Sequence, residues 1–198
     1  MQDYQAFASA TGREWPPPSF GQDPTHPAVN VSWEDAQTFC AWLTEKERKE
    51  GRLGPNTRDR LPTDAEWSIA VGIGPEPGTS PKEKDGKITN QYPWDQPWPP
   101  PRGAGNYGVS LQVDDFANTS PVGSFAVNQF GLCDLGGNVW QWCEDEYAPG
   151  DGARVLRGAS WVIDSQLRLL SSARNRLPAA DSNNSVGFRA VLAGDPAR

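Results

Sequence analysis

Cysteine and histidine are scarce in this chain of 198 residues, which has three of the first and one of the second. An odd cysteine count supports no closed disulfide framework, so either Cys133 and Cys143 form a single bridge or all three are thiols buried among apolar neighbours. Without a CxxC pair, and with His26 alone in DPTHPAVN, the sequence lacks the ligands of a zinc site. His26 has no recognisable nucleophile or acidic partner, so no His-based catalytic group is expected. Basic charge is also short: 18 Lys and Arg face 25 Asp and Glu, for a formal net charge of −7. That balance repels phosphate backbones, and no basic stripe with interleaved aromatics offsets it, which argues against a nucleic-acid partner. No apolar run reaches the roughly 20 residues of a membrane span. The start MQDYQAFASATG has neither a basic n-region nor an apolar h-region, so the expectation is a soluble, cytoplasmic chain without membrane insertion. Nothing in the composition sets an oligomeric state.

Tryptophan, glycine and proline are plentiful instead, at 9, 20 and 19 residues. This mixture predicts one domain over residues 1–198, rich in irregular loops that aromatic side chains pin down. The clearest helix follows Ser32, which caps the first turn with Asp35 at N3, and Ala36, Phe39, Cys40 and Leu43 then recur at i, i+3, i+4 and i+7. Thr63 and Glu66 form a second capping box ahead of a shorter helix. Residues 74–105 are too rich in Pro and Gly for regular elements and read as a surface loop packed by Trp94 and Trp98. Short strands are expected in SPVGSFAV, GNVWQWCEDEY, ARVLRGASW, LRLLSSARNR and VGFRAVL.

Seven phrases, HPAVNVSWEDAQTFCAWL, RLPTDAEW, YPWD, SPVGSF, NQFGLCDLGGNVWQWCED, RVLRGASW and NSVGFRAVL, together resemble the formylglycine-generating enzyme, or sulfatase-modifying-factor, family. The resemblance implies an α+β fold, a variant of the C-type lectin fold. The family domain opens with further strands before a phrase like DYQAF, which here is almost the first thing present, so the chain resembles a minimal or N-terminally truncated version. Family enzymes oxidise a substrate cysteine with oxygen at two copper-binding cysteines, five apart, just after a phrase like GGSY. The matching phrase here is Gly158 to Trp161, and the two positions hold Ile163 and Arg168. Neither side chain replaces the soft thiolates that Cu(I) needs, so the expectation is no copper and no enzyme.

The resemblance also implies two structural calcium sites. One would draw on Asn106, Tyr107, Asp114 and Phe116. The other, in the glycine-rich segment, would use Asp134, Gly137, Val139 and Gln141, where Gln141 replaces a common family Glu and so lowers the ligand charge on which affinity depends. The family's peptide groove maps onto Trp140, Trp161 and residues 162–184. Its candidate contacts are Ile163, Asp164, Gln166, Arg168, Arg174, Asn175 and Arg176, with Asp181, Asn183 and Asn184 in a polar run that no core requires. A second resemblance, to the variable proteins of diversity-generating retroelements, covers the stretch between the RGGSW-like and GFR phrases. The function expected is therefore the binding of a protein or peptide ligand, plausible as a hypervariable surface. The alternatives are a catalytically silent regulatory or accessory domain, or a divergent oxidoreductase acting on a peptide.

Overall fold

Five aromatic rings, Tyr4, Phe7, Phe39, Trp42 and Phe188, contact one another where two helices meet the end of the chain, with centroid separations from 5.2 to 6.1 Å. The structure, a computed structural model, describes residues 1–194; the end of the expected domain, 195–198, lies outside the described residues. Helix α1 (Gln2–Thr11) supplies Tyr4 and Phe7, and α2 (Trp33–Lys49) supplies Phe39 and Trp42. Both expected capping boxes are present: Ser32 accepts from the Asp35 N–H at the start of α2, and Thr63 accepts from the Glu66 N–H at the start of α3 (Asp64–Val71).

Two sheets complete the fold. Strand β1 (Thr57–Arg60) pairs antiparallel with β6 (Val191–Gly194). The larger sheet has the order β4-β3-β2-β5, from Asn175–Pro178, Ala153–Arg157, Trp140–Glu146 and Val186–Gly187. Three of its pairs share β2 or β3, and the β2–β5 pair is parallel. The first half of β2 is buried and belongs to the core, with Trp142 Nε1 donating to the Val31 carbonyl at 2.9 Å.

Several expected elements differ. SPVGSFAV is irregular with a single turn at Val122 and Gly123 rather than a strand, because Pro121 has no N–H to give and Gly123 sits at φ 78°. Only the end of LRLLSSARNR is extended, as β4, and a short helix α4 (Pro81–Lys84) interrupts the expected loop at 74–105. The cysteines are free, with Cys40 and Cys143 buried and Cys133 partly exposed. Burial pushes the Cys40 thiol up to about 12 and the Cys143 thiol up as well, so both stay protonated and serve as apolar filling.

Candidate functional site

The segment that follows β3 is held by a sharp backbone turn. Gly158 lies at φ 93°, and a Cβ there would press on the Leu135 carbonyl oxygen and the Trp67 ring. Ala159 continues at φ 61° before Trp161 N–H donates to the Asn138 carbonyl at 2.9 Å. Ile163 N–H then closes a turn on Ser160, and the Ile163 carbonyl accepts from Gly108 N–H at 2.8 Å. A neighbouring 3-10 turn (Val109–Leu111) is thereby docked against the segment, and Ser110 Oγ donates to Asp164 Oδ2 at 2.7 Å. Gln166 Nε2 reaches the Tyr92 hydroxyl at 3.0 Å, and Arg168 Nη1 donates to the Arg174 carbonyl. What this loop shows to solvent is apolar as well as polar: Val109, Val162 and Leu167 are 67, 47 and 70% exposed, beside Asp164, Gln166 and Arg168.

Beneath the loop lies a network of buried charge that composition alone does not reveal. Asp64 receives Arg157 on Oδ1 and Arg174 on both oxygens, and Arg174 also forks onto Glu76, with its Nη1 2.7 Å from Oε1. Arg157 Nη2 donates to the Ser171 carbonyl at 2.9 Å, and the guanidinium lies 4.3 Å over the Trp67 ring. Burial alone would push the Asp64 carboxyl upward, but the charge of Arg157 and the hydrogen bonds and charge of Arg174 outweigh it and hold the carboxyl below its ordinary value. The two arginines thus fasten residues 157 and 171–174 to α3, and the exposed loop between them rests on a fixed floor.

The expected contact residues separate accordingly. Trp140, at 3% exposure, and Arg174, at 0%, lie in the core and offer nothing to a ligand: Trp140 opens the buried half of β2, and Arg174 is consumed by ion pairs. Ile163, Asp164, Gln166 and Arg168 share the docked loop. Trp161 joins that loop to the polar run, with its Nε1 donating to the Asn184 carbonyl at 3.2 Å and its ring edge-on to Phe20. Asn183 folds back on Ser185, and Asp181 is exposed. Arg176 lies elsewhere, its guanidinium 4.5 Å over the Tyr147 ring, with Asn175 beside it on β4. Sequence reasoning missed the Val109–Ser110 flank and a neighbouring cleft of about 530 Å³. Tyr92 and Trp94, stacked at 4.6 Å, form one side of it, and Asp95, Arg102, Phe125 and Asn128 also line it. The phrase YPWD carries that signal, since it brings two aromatic rings within stacking reach of each other.

The two expected cation sites behave differently. At the first, Asp114 accepts from the N–H groups of Tyr107 and Phe116 at 3.0 and 2.9 Å, and Asn106 Nδ2 donates to the Asn118 carbonyl. Asn106 Oδ1 is buried without a partner, an acceptor left over for an electropositive group, so these residues fit a hard cation. No three His, Cys, Asp or Glu side chains converge among the described residues, so such a cation would rely on amide and carbonyl oxygens beside Asp114. At the second, the Gln141 side-chain oxygen and the Asp134 carbonyl already have donors. Gln141 Oε1 accepts from Arg189 Nε at 2.6 Å and from Trp67 Nε1 at 3.3 Å, while Gln141 Nε2 donates to the Asp134 carbonyl at 2.7 Å. Those residues do not fit a metal ion. The copper positions do not fit either, since Ile163 and Arg168 hold no thiolate and Cys40 and Cys143 lie in separate core clusters.

Residues 1–193 match the sulfatase-modifying factor enzyme 1-like domain. The inactive C-alpha-formylglycine-generating enzyme 2 of Mus musculus is 35% identical over 86% of this chain and 50% of its own length. A formylglycine-generating enzyme of Thermomonospora curvata is 33% identical over 92% of this chain and 60% of its own. The chain therefore spans about half the length of the curated relatives it matches. A solved structure of Treponema denticola variable protein 1 superposes with a TM-score of 0.63 over 98% of this chain and 81% of that one, at 23% identity, a likeness of fold alone.

Proposed function

Because the chain belongs to the sulfatase-modifying factor enzyme 1-like family, we propose that it uses the family's C-type lectin-like scaffold without the family's oxidation, as a surface that binds a peptide or a protein. The observation that carries this is the content of the loop after β3. Where the family resemblance puts two reactive thiols, the chain has Ile163 against its neighbours and Arg168 in solvent, beside an exposed Val109, Val162 and Leu167. Oxidation needs the soft ligands that are missing, whereas contact needs apolar and guanidinium anchors on a rigid support, which are present.

Within this surface Leu167 and Arg168 carry the affinity, and Trp161, Asp164, Gln166, Asp181, Asn183 and Asn184 form its polar margin. Asn175 and Arg176 on β4 stand apart from it, beside Tyr147. Calcium at Asn106 and Asp114 would play a structural part, bracing the segment that carries the Val109 turn. A hypervariable role for 161–184 is the finer form of the same proposal, supported by the exposed small polar positions. It is tested by the gene neighbourhood, where a template repeat of the 3′ end beside a reverse transcriptase gene is required.

The direct test is panning of a phage-displayed peptide library on the immobilised chain, with parallel incubation of thiol peptides with Cu(I) and oxygen. Enriched peptides should lose at least about tenfold in affinity with Leu167→Asp or Arg168→Ala. Binding indifferent to both substitutions would remove this surface, and conversion of a peptide cysteine to an aldehyde would restore the oxidase.

A further inference from the structure

We propose that the glycine-rich loop carries its cation within the chain: the Arg189 guanidinium, clamped with the Gln141 amide, fills the place where the family resemblance implies calcium, and the loop takes no metal. The geometry is that of N–H groups turned onto the oxygens of Gln141, Cys133 and Asp134. Arg189 Nε donates to Gln141 Oε1 at 2.6 Å, and Arg189 Nη2 donates to the carbonyls of Cys133 and Asp134 at 2.9 and 3.1 Å. Gln141 turns its other atom to the same carbonyl, with Nε2 2.7 Å from the Asp134 oxygen. These groups share one cavity of about 220 Å³ with Asn138, Val139 and Phe188.

Two physical consequences oppose a metal there. A calcium ion takes six to eight oxygens through free lone pairs. The Gln141 oxygen already has two N–H donors, from Arg189 and from Trp67, and the Asp134 carbonyl also has two. Charge points the same way. A divalent ion would join a fixed guanidinium in a cavity whose only carboxylate, among the described residues, is Asp134. A glutamate at position 141 would offer acceptors only and add a negative charge, whereas the amide offers a donor. The change from carboxylate to amide therefore converts a ligand into part of the clamp.

The clamp also has a structural reach. Arg189 follows β5, the loop precedes β2, and β5 and β2 are paired. An internal cation thus joins the segment after β5 to the turn that supports Gly158, with no dependence on calcium supply.

The test is calcium titration of the chelator-treated full chain by isothermal calorimetry and native mass spectrometry, alongside Asp114→Asn and the double variant Gln141→Glu, Arg189→Ser. The parent should bind no calcium, or a single ion that Asp114→Asn abolishes. Two ions, or one that survives Asp114→Asn, would overturn the proposal. The folded double variant, checked by circular dichroism, should bind one ion more than the parent. If it folds and binds no more, the clamp is not what excludes the metal and the proposal also falls. Should the double variant not fold, the parent and Asp114→Asn stoichiometries decide alone.

Discussion

Asp64 is the residue on which the most buried charge converges, since it compensates Arg157 and Arg174 together in a fully enclosed site. Asp64→Asn keeps the shape and removes the charge, leaving Arg157 without its ion pair and Arg174 with Glu76 alone as its paired carboxylate. Loss of one partner from such a buried set costs about 3–5 kcal/mol, and urea unfolding should show a lowered midpoint at unchanged slope. A loss below about 1 kcal/mol would mean that the arginines are solvated after all. Glu66 is the half-exposed counterpart. Its hydrogen bonds from Arg60 outweigh the opposing effect of burial and hold its carboxyl at about 2, against an ordinary 4.5. Because the folded-state value is the lower one, the stabilisation is complete above 4.5 and fades as the pH falls through about 2. Glu66→Gln keeps the capping box and loses the ion pair. At neutral pH it should cost about 1 kcal/mol or less, given its exposure, and the gap between parent and variant in thermal unfolding should close as the pH approaches 2.

Among the elements, α2 depends on its first turn. Ser32 accepts from the Asp35 N–H, and Asp35 answers to the Ser32 backbone and pairs with Arg13 of the segment after α1. Ser32→Ala should lower stability by about 1 kcal/mol, read from chemical denaturation. Leu167→Asp, in contrast, should leave the melting temperature unchanged, because that side chain is largely in solvent and only a ligand would miss it. The difference between α2 and its neighbours also explains what could be read in advance. Capping boxes are local, so α2 and α3 were legible from Ser32, Asp35, Thr63 and Glu66. Helix α1 has no side-chain cap at Met1, and β1 is TRDR, charged at three of its four residues, with a partner strand more than a hundred residues away. Nothing local marks either of them. The site was legible where absence marked it, at Ile163 and Arg168. It was illegible where long-range burial decided, as for Trp140 and Arg174, because an arginine in sequence carries no sign of the two carboxylates that will enclose it.

For the molecule as a whole, the buried charges lie between two apolar clusters. One gathers Phe7, Phe39, Trp142 and Leu156, and the other gathers Trp67, Leu135, Cys143, Tyr147 and Val155. Trp142 and Cys143 are adjacent on β2, and Leu156 and Val155 are adjacent on β3, so the same two strands present one face to each cluster. Separating the clusters would strand Arg157, whose guanidinium lies on Trp67 while its strand is paired with Gln141. That cost couples the halves, and the chain should unfold in a single transition. Tryptophan fluorescence, which reports both clusters, and far-ultraviolet circular dichroism should give coincident urea curves. A variant that weakens the buried charge network without touching either apolar cluster, Glu76→Gln, should shift both curves together. Curves that separate in the parent would show that the second cluster melts alone, and the loop bearing Leu167 and Arg168 would then rest on a floor less stable than the rest of the fold.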